Sequence, residues 1–287
     1  MSKKYLTRRF IYRSTTCINV VKIGETTCKS IINSSGIEGV DYAVNPYIGC
    51  AHACTYCYAK FMTRWYHKGE KWGTFVDVKK NARECLQMEV EKRRRGVILF
   101  SSVTDAYQPA EKKYGLTRSL LEVLVDHDFP VEILTKSSLV TRDMDILSRF
   151  DEVEVGLTVT AFDERVRRAF EPGASPIEER LDALKLFSDT GIPTYAFLGP
   201  LLPYVSEPRF EELLNRLAES VGRVLVDRLN IKAGNWRNIE ATLEKYYPEM
   251  LGEFKMASKE LSAYYDSLRG KVKRMLNDRS IPHDILF

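Results

Sequence analysis

Hydrophobic positions along the middle of the chain switch repeatedly between two periods, and each switch marks an element. Residues 96–102 (GVILFSS) form a short apolar run of strand character, and 117–128 follow with Leu120, Leu121, Leu124 and Val125 at helical spacing. Residues 131–135 (VEILT) predict another strand and 140–150 another helix. Three more strands are predicted over 153–160, 193–198 and 224–231, with helices over 176–190 and 208–221 between them. Gly191-Ile192-Pro193 punctuates a helix-to-strand junction with the residues expected there. Together with a first strand just before Cys50, the pattern amounts to about six strand-then-helix units, the signature of an α/β protein with a parallel sheet covered by helices. Six units fall short of the eight that close a full barrel, so the expected architecture is a partial (β/α)6 TIM-type barrel, with reacting groups at the C-terminal ends of its strands.

The flanks read differently. Residues 10–32 are rich in Ile, Val and Thr and predict a strand or two. After Asn235 the pattern turns helical and charged through Asn277, with 249–276 as a long amphipathic stretch. The expected organisation is an N-terminal β extension over 1–40, the barrel over 41–236 and C-terminal helices over 237–287. No internal repeat or low-complexity segment interrupts it.

Composition narrows the class without choosing a function. With 44% hydrophobic and 29% charged residues in 287, the chain is ordinary globular protein, neither collagen-like nor disordered. No stretch approaches the roughly 18 consecutive apolar residues of a transmembrane helix, so no membrane partner is expected. The first ten residues are basic but lack an apolar core followed by a small-residue cleavage site, so no secretory signal is read there. Basic residues exceed acidic ones 43 to 39, which permits an anionic partner without requiring one. They cluster at Lys3-Lys4, Arg8-Arg9, Arg93-Arg94-Arg95 and 271–274, runs whose ordinary explanation is solvated surface.

The cysteines carry more information. Six are too few for a disulfide scaffold, and a reducing, cytoplasmic setting is expected. Cys50, Cys54 and Cys57 lie within Asn45-Pro-Tyr-Ile-Gly-Cys50-Ala-His-Ala-Cys54-Thr-Tyr-Cys57-Tyr58, a C-x3-C-x2-C spacing. Three thiolates so close together suit three irons of a cubane cluster, leaving the fourth iron open to a substrate or cofactor. Zinc would need His52 or His67 as a fourth ligand, and His52 lies between two cysteines, where it would strain the loop. An ordinary electron carrier would want a fourth cysteine nearby, and none follows at ferredoxin spacing.

With Tyr56 just before its last cysteine, the motif resembles that of the radical S-adenosylmethionine (SAM) superfamily. Within it the chain is similar to the spore photoproduct lyase-like branch, often labelled DNA repair photolyase. Thr104-Asp105-Ala-Tyr107-Gln-Pro109-Ala-Glu111, Gly115-Leu-Thr-Arg118, Leu134-Thr-Lys136-Ser137, Arg142-Asp143, Phe170-Glu171-Pro172-Gly-Ala174, and Gly191-Ile-Pro193 with Gly199-Pro200-Leu-Leu-Pro203 fit that branch in order, across roughly residues 40–235. The resemblance implies a 4Fe–4S cluster on Cys50, Cys54 and Cys57 whose unique iron holds the amino and carboxylate groups of SAM. It implies reductive cleavage of SAM to methionine and a 5′-deoxyadenosyl radical that abstracts hydrogen from a substrate. It places Thr104 and Asp105 at the SAM amino group, Lys136 at its carboxylate, Thr158 at a ribose hydroxyl and Tyr56 beside the adenine. Helix capping competes as a role for Asp105, a surface position for Lys136 and plain strand packing for Thr158. Arg228 and Lys232 are candidates for a substrate phosphate or carboxylate, or for internal ion pairs.

One departure stands out. Spore photoproduct lyases carry a catalytic cysteine near the end of the strand before Thr104-Asp105, and Ser102 occupies the nearest matching place here. A serine O–H bond is too strong to return a hydrogen atom to a carbon radical as a thiol does, so a different reaction is expected. Cys17, Cys28 and Cys85 are other thiols, for which burial in the core is the commoner fate. No cysteine follows Cys85, which argues against an auxiliary cluster. The implied partners are an external one-electron reductant of flavodoxin or ferredoxin type and a substrate that is nucleic acid, peptide or small molecule, nucleic acid first. The competing class is a non-catalytic iron–sulfur or zinc module that binds nucleic acid, with metal but no SAM turnover.

Overall fold

The structure, a computed structural model, describes residues 21–232 and 234–287. Cys17, the basic pairs at Lys3-Lys4 and Arg8-Arg9, and the start of the predicted N-terminal extension lie outside the described residues. The chain divides into two compact units, one taking residues up to 53 with 59–133 and 142–153, the other 54–58, 134–141 and 154–287.

The first unit builds its elements from short β-branched and aromatic runs. In chain order these are β1 (Lys22–Thr26), β2 (Ile32–Ser34), β3 (Tyr42–Val44), β4 (Tyr47–Ile48), β5 (Phe75–Lys79), α1 (Ala82–Val90), β6 (Ile98–Phe100), α2 (Glu111–Tyr114), α3 (Leu116–Leu124), β7 (Val131–Thr135) and α4 (Met144–Leu147). β1 runs parallel to β5, which pairs antiparallel with β4 in a small sheet. In the other sheet β2 pairs antiparallel with β3, β3 runs parallel to β6, and β6 parallel to β7. The first strand of the parallel series is therefore β3, whereas Tyr47–Ile48, which Gly49 separates from Cys50, belong to the small sheet. The sequence reading assigns no element between the cysteines and Gly96, yet β5 reads FVDVK, with Phe75, Val76 and Val78 buried and Asp77 and Lys79 partly exposed, the mark of a half-buried strand.

The second unit takes β8 (Val153–Thr158), α5 (Glu164–Phe170), α6 (Ile177–Asp189), β9 (Thr194–Leu201), α7 (Phe210–Leu217), β10 (Arg223–Arg228), α8 (Trp236–Tyr246), α9 (Leu251–Lys259), α10 (Leu261–Asn277) and β11 (His283–Ile285). β8, β9, β10 and β11 are successive parallel neighbours. α6 shows why these segments are helical: Ile177, Leu181, Leu184 and Phe187 recur at helical spacing and are buried, while Glu178, Glu179, Asp182 and Lys185 face outward. Each such buried side chain contributes roughly 1.5–3 kcal/mol. Asp163 caps α5 by accepting a bond from the Arg165 amide at 2.8 Å. Gly156 on β8 is needed for close approach, because a Cβ there would stand 2.2 Å from the ring of Tyr195 on β9.

The predicted parallel strands thus appear as β3, β6, β7, β8, β9 and β10, in a mixed α/β fold. The strand pairings of the described residues do not themselves show closure into a barrel. β11 adds a parallel strand beyond the predicted series, too short at three residues for its alternation to be read. The long C-terminal amphipathic stretch is broken at Glu260, which leaves helical backbone at φ −130° and ψ 46° and separates α9 from α10. No helix among the described residues is long and apolar enough to cross a membrane.

Several motif residues without a derived role hold the first unit together. Glu111, fully buried, accepts bonds from the Tyr47 hydroxyl, from the Thr117 amide at 2.9 Å and from Arg142 Nη2 at 2.7 Å. Arg142 also holds Asp143, equally buried, whose carboxylate takes Arg118 Nη1 at 3.1 Å. Removing one member of such a buried pair leaves an uncompensated charge. Glu111→Ala is expected to destabilise the protein by roughly 3–5 kcal/mol, whereas Arg165→Ala, which removes an exposed partner of Asp163, should cost no more than about 1 kcal/mol. Urea denaturation of the two variants checks the contrast.

Candidate functional site

The cysteine segment is divided between the two units, and each part is fixed by its own set of hydrogen bonds. In the first unit Cys50 is buried and follows Gly49, whose φ of +84° suits glycine and where a Cβ would lie 2.4 Å from the Phe75 carbonyl oxygen. Gln108, fully buried, brackets Cys50: its Oε1 accepts from the Ala51 amide at 2.8 Å and its Nε2 donates to the Gly49 carbonyl at 3.2 Å. The Thr104 hydroxyl donates to the same carbonyl at 2.5 Å and accepts from Gln108 Nε2 at 3.0 Å. Thr104 therefore shapes the cysteine loop, with one lone pair left for another donor.

Asp105 is buried beside it. Its Oδ1 accepts from the Tyr107 amide at 2.9 Å, an Asx-type turn, while Ala110 holds the position before α2, so Asp105 does not cap that helix. Its Oδ2 lies 3.2 Å from Nδ1 of His52, itself 1% exposed. Ser102 accepts a bond from Asn45 Nδ2 at 3.1 Å, and Asn45 Oδ1 accepts from the Val103 amide. His67 is not placed as a zinc ligand: Nδ1 faces Glu70 at 3.0 Å, Nε2 faces Asp77 at 2.9 Å, and the ring stacks on Phe75. Burial opposes its protonation, but the hydrogen bonds to Glu70 and Asp77 prevail and raise its pKa.

In the second unit Cys54–Tyr58 is tied down at its main chain. The Cys57 amide donates to the Cys54 carbonyl at 3.2 Å, the Thr55 amide to the Phe170 carbonyl at 2.9 Å, and Asn235 Nδ2 to the Tyr56 carbonyl at 2.8 Å. Tyr56 is buried and donates its hydroxyl to Glu171, while Thr160 lies within hydrogen-bonding distance of both. The Lys136 ammonium stands 5.8 Å from the centre of the Tyr56 ring. Thr158, 1% exposed, gives its carbonyl to Arg180 Nη1 at 2.9 Å. Tyr56, Lys136 and Thr158 are thereby brought to one polar cluster, organised by Glu171 and Arg180.

The electrostatics of that cluster are strongly set. Glu171 is 2% exposed and Arg180 fully buried, with Nη2 2.7 Å from Glu171 Oε2. Burial favours the neutral acid, but Arg180, Lys136 and the hydroxyls of Tyr56 and Thr160 outweigh it and hold the Glu171 carboxyl at about 2. Burial pushes the Cys54 thiol up to about 12, against the pull of Lys136 and with Glu171 and Cys57 adding to the rise. Among the described residues no three His, Cys, Asp or Glu side chains gather around a point that would hold one metal ion. The donor set of Cys50, Cys54 and Cys57, all thiols, fits instead a cluster in which each thiolate takes its own iron.

The model of the Radical SAM superfamily matches residues 44–217. The chain belongs to the radical SAM superfamily. It is an enzyme of that family, which uses a 4Fe–4S cluster and SAM. An uncharacterized protein of Methanocaldococcus jannaschii is 40% identical over 232 residues, 81% of this chain and 85% of the relative. The radical SAM Nα-GlyT isomerase of Pseudomonas phage M6 is 27% identical over 216 residues, 73% of this chain and 44% of the relative. A spore photoproduct lyase double mutant, solved with bound SAM and dinucleoside spore photoproduct, superposes with a TM-score of 0.64 at 17% identity over 92% of this chain and 82% of that one. At that identity the likeness is one of fold.

Gln108, Thr160, Arg180 and Asn235 were not legible as site residues. Gln108 sits inside a matched motif but carries no charge to attract notice, and Arg180 reads as one more polar position on a helix. Their effect is testable through pH. A carboxyl depressed in the folded state stabilises it above the unfolded-state pKa and loses that contribution as pH falls through the folded-state value. Wild-type protein should therefore exceed Glu171→Gln in stability by on the order of 3 kcal/mol near neutrality, and the gap should shrink as pH falls from about 4.5 towards 2. Denaturant melts of the metal-free proteins across that range measure it.

Proposed function

We propose that Cys50, Cys54 and Cys57 hold the 4Fe–4S cluster and that this chain uses SAM bound beside it to abstract hydrogen from a substrate. The observation that carries this reading is the immobilisation of the cysteine segment, by Gln108 around Cys50 and by the Phe170 carbonyl and Asn235 around Thr55 and Tyr56. A ligand loop pre-set in this way does not need to be ordered when the metal arrives. When bound and reduced, the cluster supplies the electron that splits SAM into methionine and a 5′-deoxyadenosyl radical.

The remaining work falls to side chains. Asp105, buried, accepts from the SAM ammonium, with the remaining lone pair of Thr104 beside it. Lys136 pairs with the SAM carboxylate, Thr158 addresses the ribose and the face of Tyr56 flanks the adenine. Burial of Tyr56 and Thr158 keeps water from the radical. The architecture we propose is the partial (β/α)6 barrel over 41–236, with a β extension before it and helices after it. Nucleic acid is the proposed substrate class, supported by the dinucleoside that the spore photoproduct lyase neighbour holds. The electron comes from a flavodoxin- or ferredoxin-type protein in the cytoplasm.

Anaerobic reconstitution followed by SAM and a strong reductant should release 5′-deoxyadenosine, detected by mass spectrometry, with Cys54→Ala reduced to background. Lys136→Met should weaken SAM binding about 10- to 100-fold, the loss of a charge-assisted hydrogen bond. No 5′-deoxyadenosine from a loaded, reducible cluster, with or without oligonucleotide, would overturn the reading. Oligonucleotide affinity that does not fall with salt would remove nucleic acid as the substrate class.

A further inference from the structure

We propose that Glu171 is a positioning residue that holds the Cys54–Cys57 turn in place and sets the reduction potential of the cluster there. This rests on the reading that the three cysteines ligate the cluster. Glu171 reaches the turn through the hydroxyl of Tyr56, one of the two residues between Cys54 and Cys57, and through Thr160. The amide of Thr55 is bonded to the carbonyl of Phe170, the residue before Glu171, so the turn is gripped by side chain and main chain from one place.

Arg180 extends that grip to the other residues of the site. Its Nη1 donates to the Thr158 carbonyl at 2.9 Å and its Nε to the Ser175 carbonyl at 2.8 Å. The Ser175 amide in turn donates to the Lys136 carbonyl at 3.0 Å. One buried carboxylate–guanidinium pair therefore connects Tyr56, Thr158 and Lys136.

Such a pair also carries charge. Glu171 contributes an anion, and Arg180 and Lys136 contribute cations, whose fields act on Cys54 where water is excluded and screening is weak. Iron–sulfur potentials respond to net charge and hydrogen bonding around the cluster. Reduction adds an electron, so the Glu171 carboxylate disfavours it, offsetting the two cations and making the potential lower than a neutral side chain at that position would. A low potential is what an electron donor to SAM requires.

The test compares reconstituted wild type, Glu171→Gln and Glu171→Asp by iron and sulfide content and by a reductive titration followed by electron paramagnetic resonance. Glu171→Gln, which removes the charge but keeps the shape, should shift the midpoint to a more positive value, while Glu171→Asp, which keeps the charge, stays at the wild-type value. An unshifted midpoint in Glu171→Gln, or an equal shift in both variants, overturns the electrostatic role. Tyr56→Phe keeps the ion pair and deletes the tether, so it decides the positioning role even where Glu171→Gln fails to fold: its cluster should lose iron to a chelator several-fold faster than wild type, and a wild-type rate overturns it. Failure of wild type itself to bind iron would instead strike the reading that the cysteines hold a cluster.

Discussion

Burial of charge is the constraint on which the second unit depends. Glu171 and Arg180 are both removed from water, and neither could be held there alone, since an isolated buried ion costs several kcal/mol even after relaxation. The pair is tolerable only because nearby polar atoms are turned towards it: the hydroxyls of Tyr56 and Thr160 on the carboxylate, the carbonyls of Thr158 and Ser175 on the guanidinium. That requirement works in both directions. Groups needed to satisfy the pair cannot wander, so the cysteine turn that carries Tyr56 inherits the rigidity of the ion pair. A hydrophobic replacement of equal volume would satisfy packing but would give the turn no directional hold.

The first unit reaches a similar end with a neutral group. Gln108 can donate and accept at once, and it uses both capacities on the backbone flanking Cys50. A carboxylate there would face the Gly49 carbonyl with no proton to offer, and a lysine could not accept from the Ala51 amide. The charged residues of this unit, Glu111, Arg142, Asp143 and Arg118, form a separate network that joins Tyr47 to the start of α3. Matched motif residues thus divide between those that hold the cysteine loop and those that hold the scaffold under it. In the sequence alone the two kinds look alike.

That division explains what could be read from the sequence. Strand-then-helix alternation is a local signal, and β6, β7, β8, β9 and β10 were legible because apolar runs of that kind have few other uses. β11 and the break at Glu260 were not, the former being too short to alternate and the latter lying within an amphipathic pattern that continues on both sides. Cys50, Cys54 and Cys57 stand out in the sequence by their spacing. Arg180 did not, because its burial is created by Glu171, nine positions earlier and outside its helix. A pairwise relation of that kind leaves no period and no motif.

Ser102 bears on what kind of reaction this scaffold can finish. In the family resemblance its place belongs to a hydrogen-donating cysteine, and the structure gives the serine a defined use: its oxygen receives the Asn45 amide, whose carbonyl oxygen in turn receives the Val103 amide. Asn45 also accepts Lys79 at its backbone carbonyl, so the turn after β6 is anchored to the segment leading into the cysteines. A thiol is a poor hydrogen-bond acceptor, and a cysteine at this position would weaken that anchor while adding a transferable hydrogen atom. The serine makes the opposite choice, a firmer loop and no donor. On the proposed reading, a substrate radical would be quenched by a group other than residue 102 or passed back to 5′-deoxyadenosine, and which of those it met would decide the product.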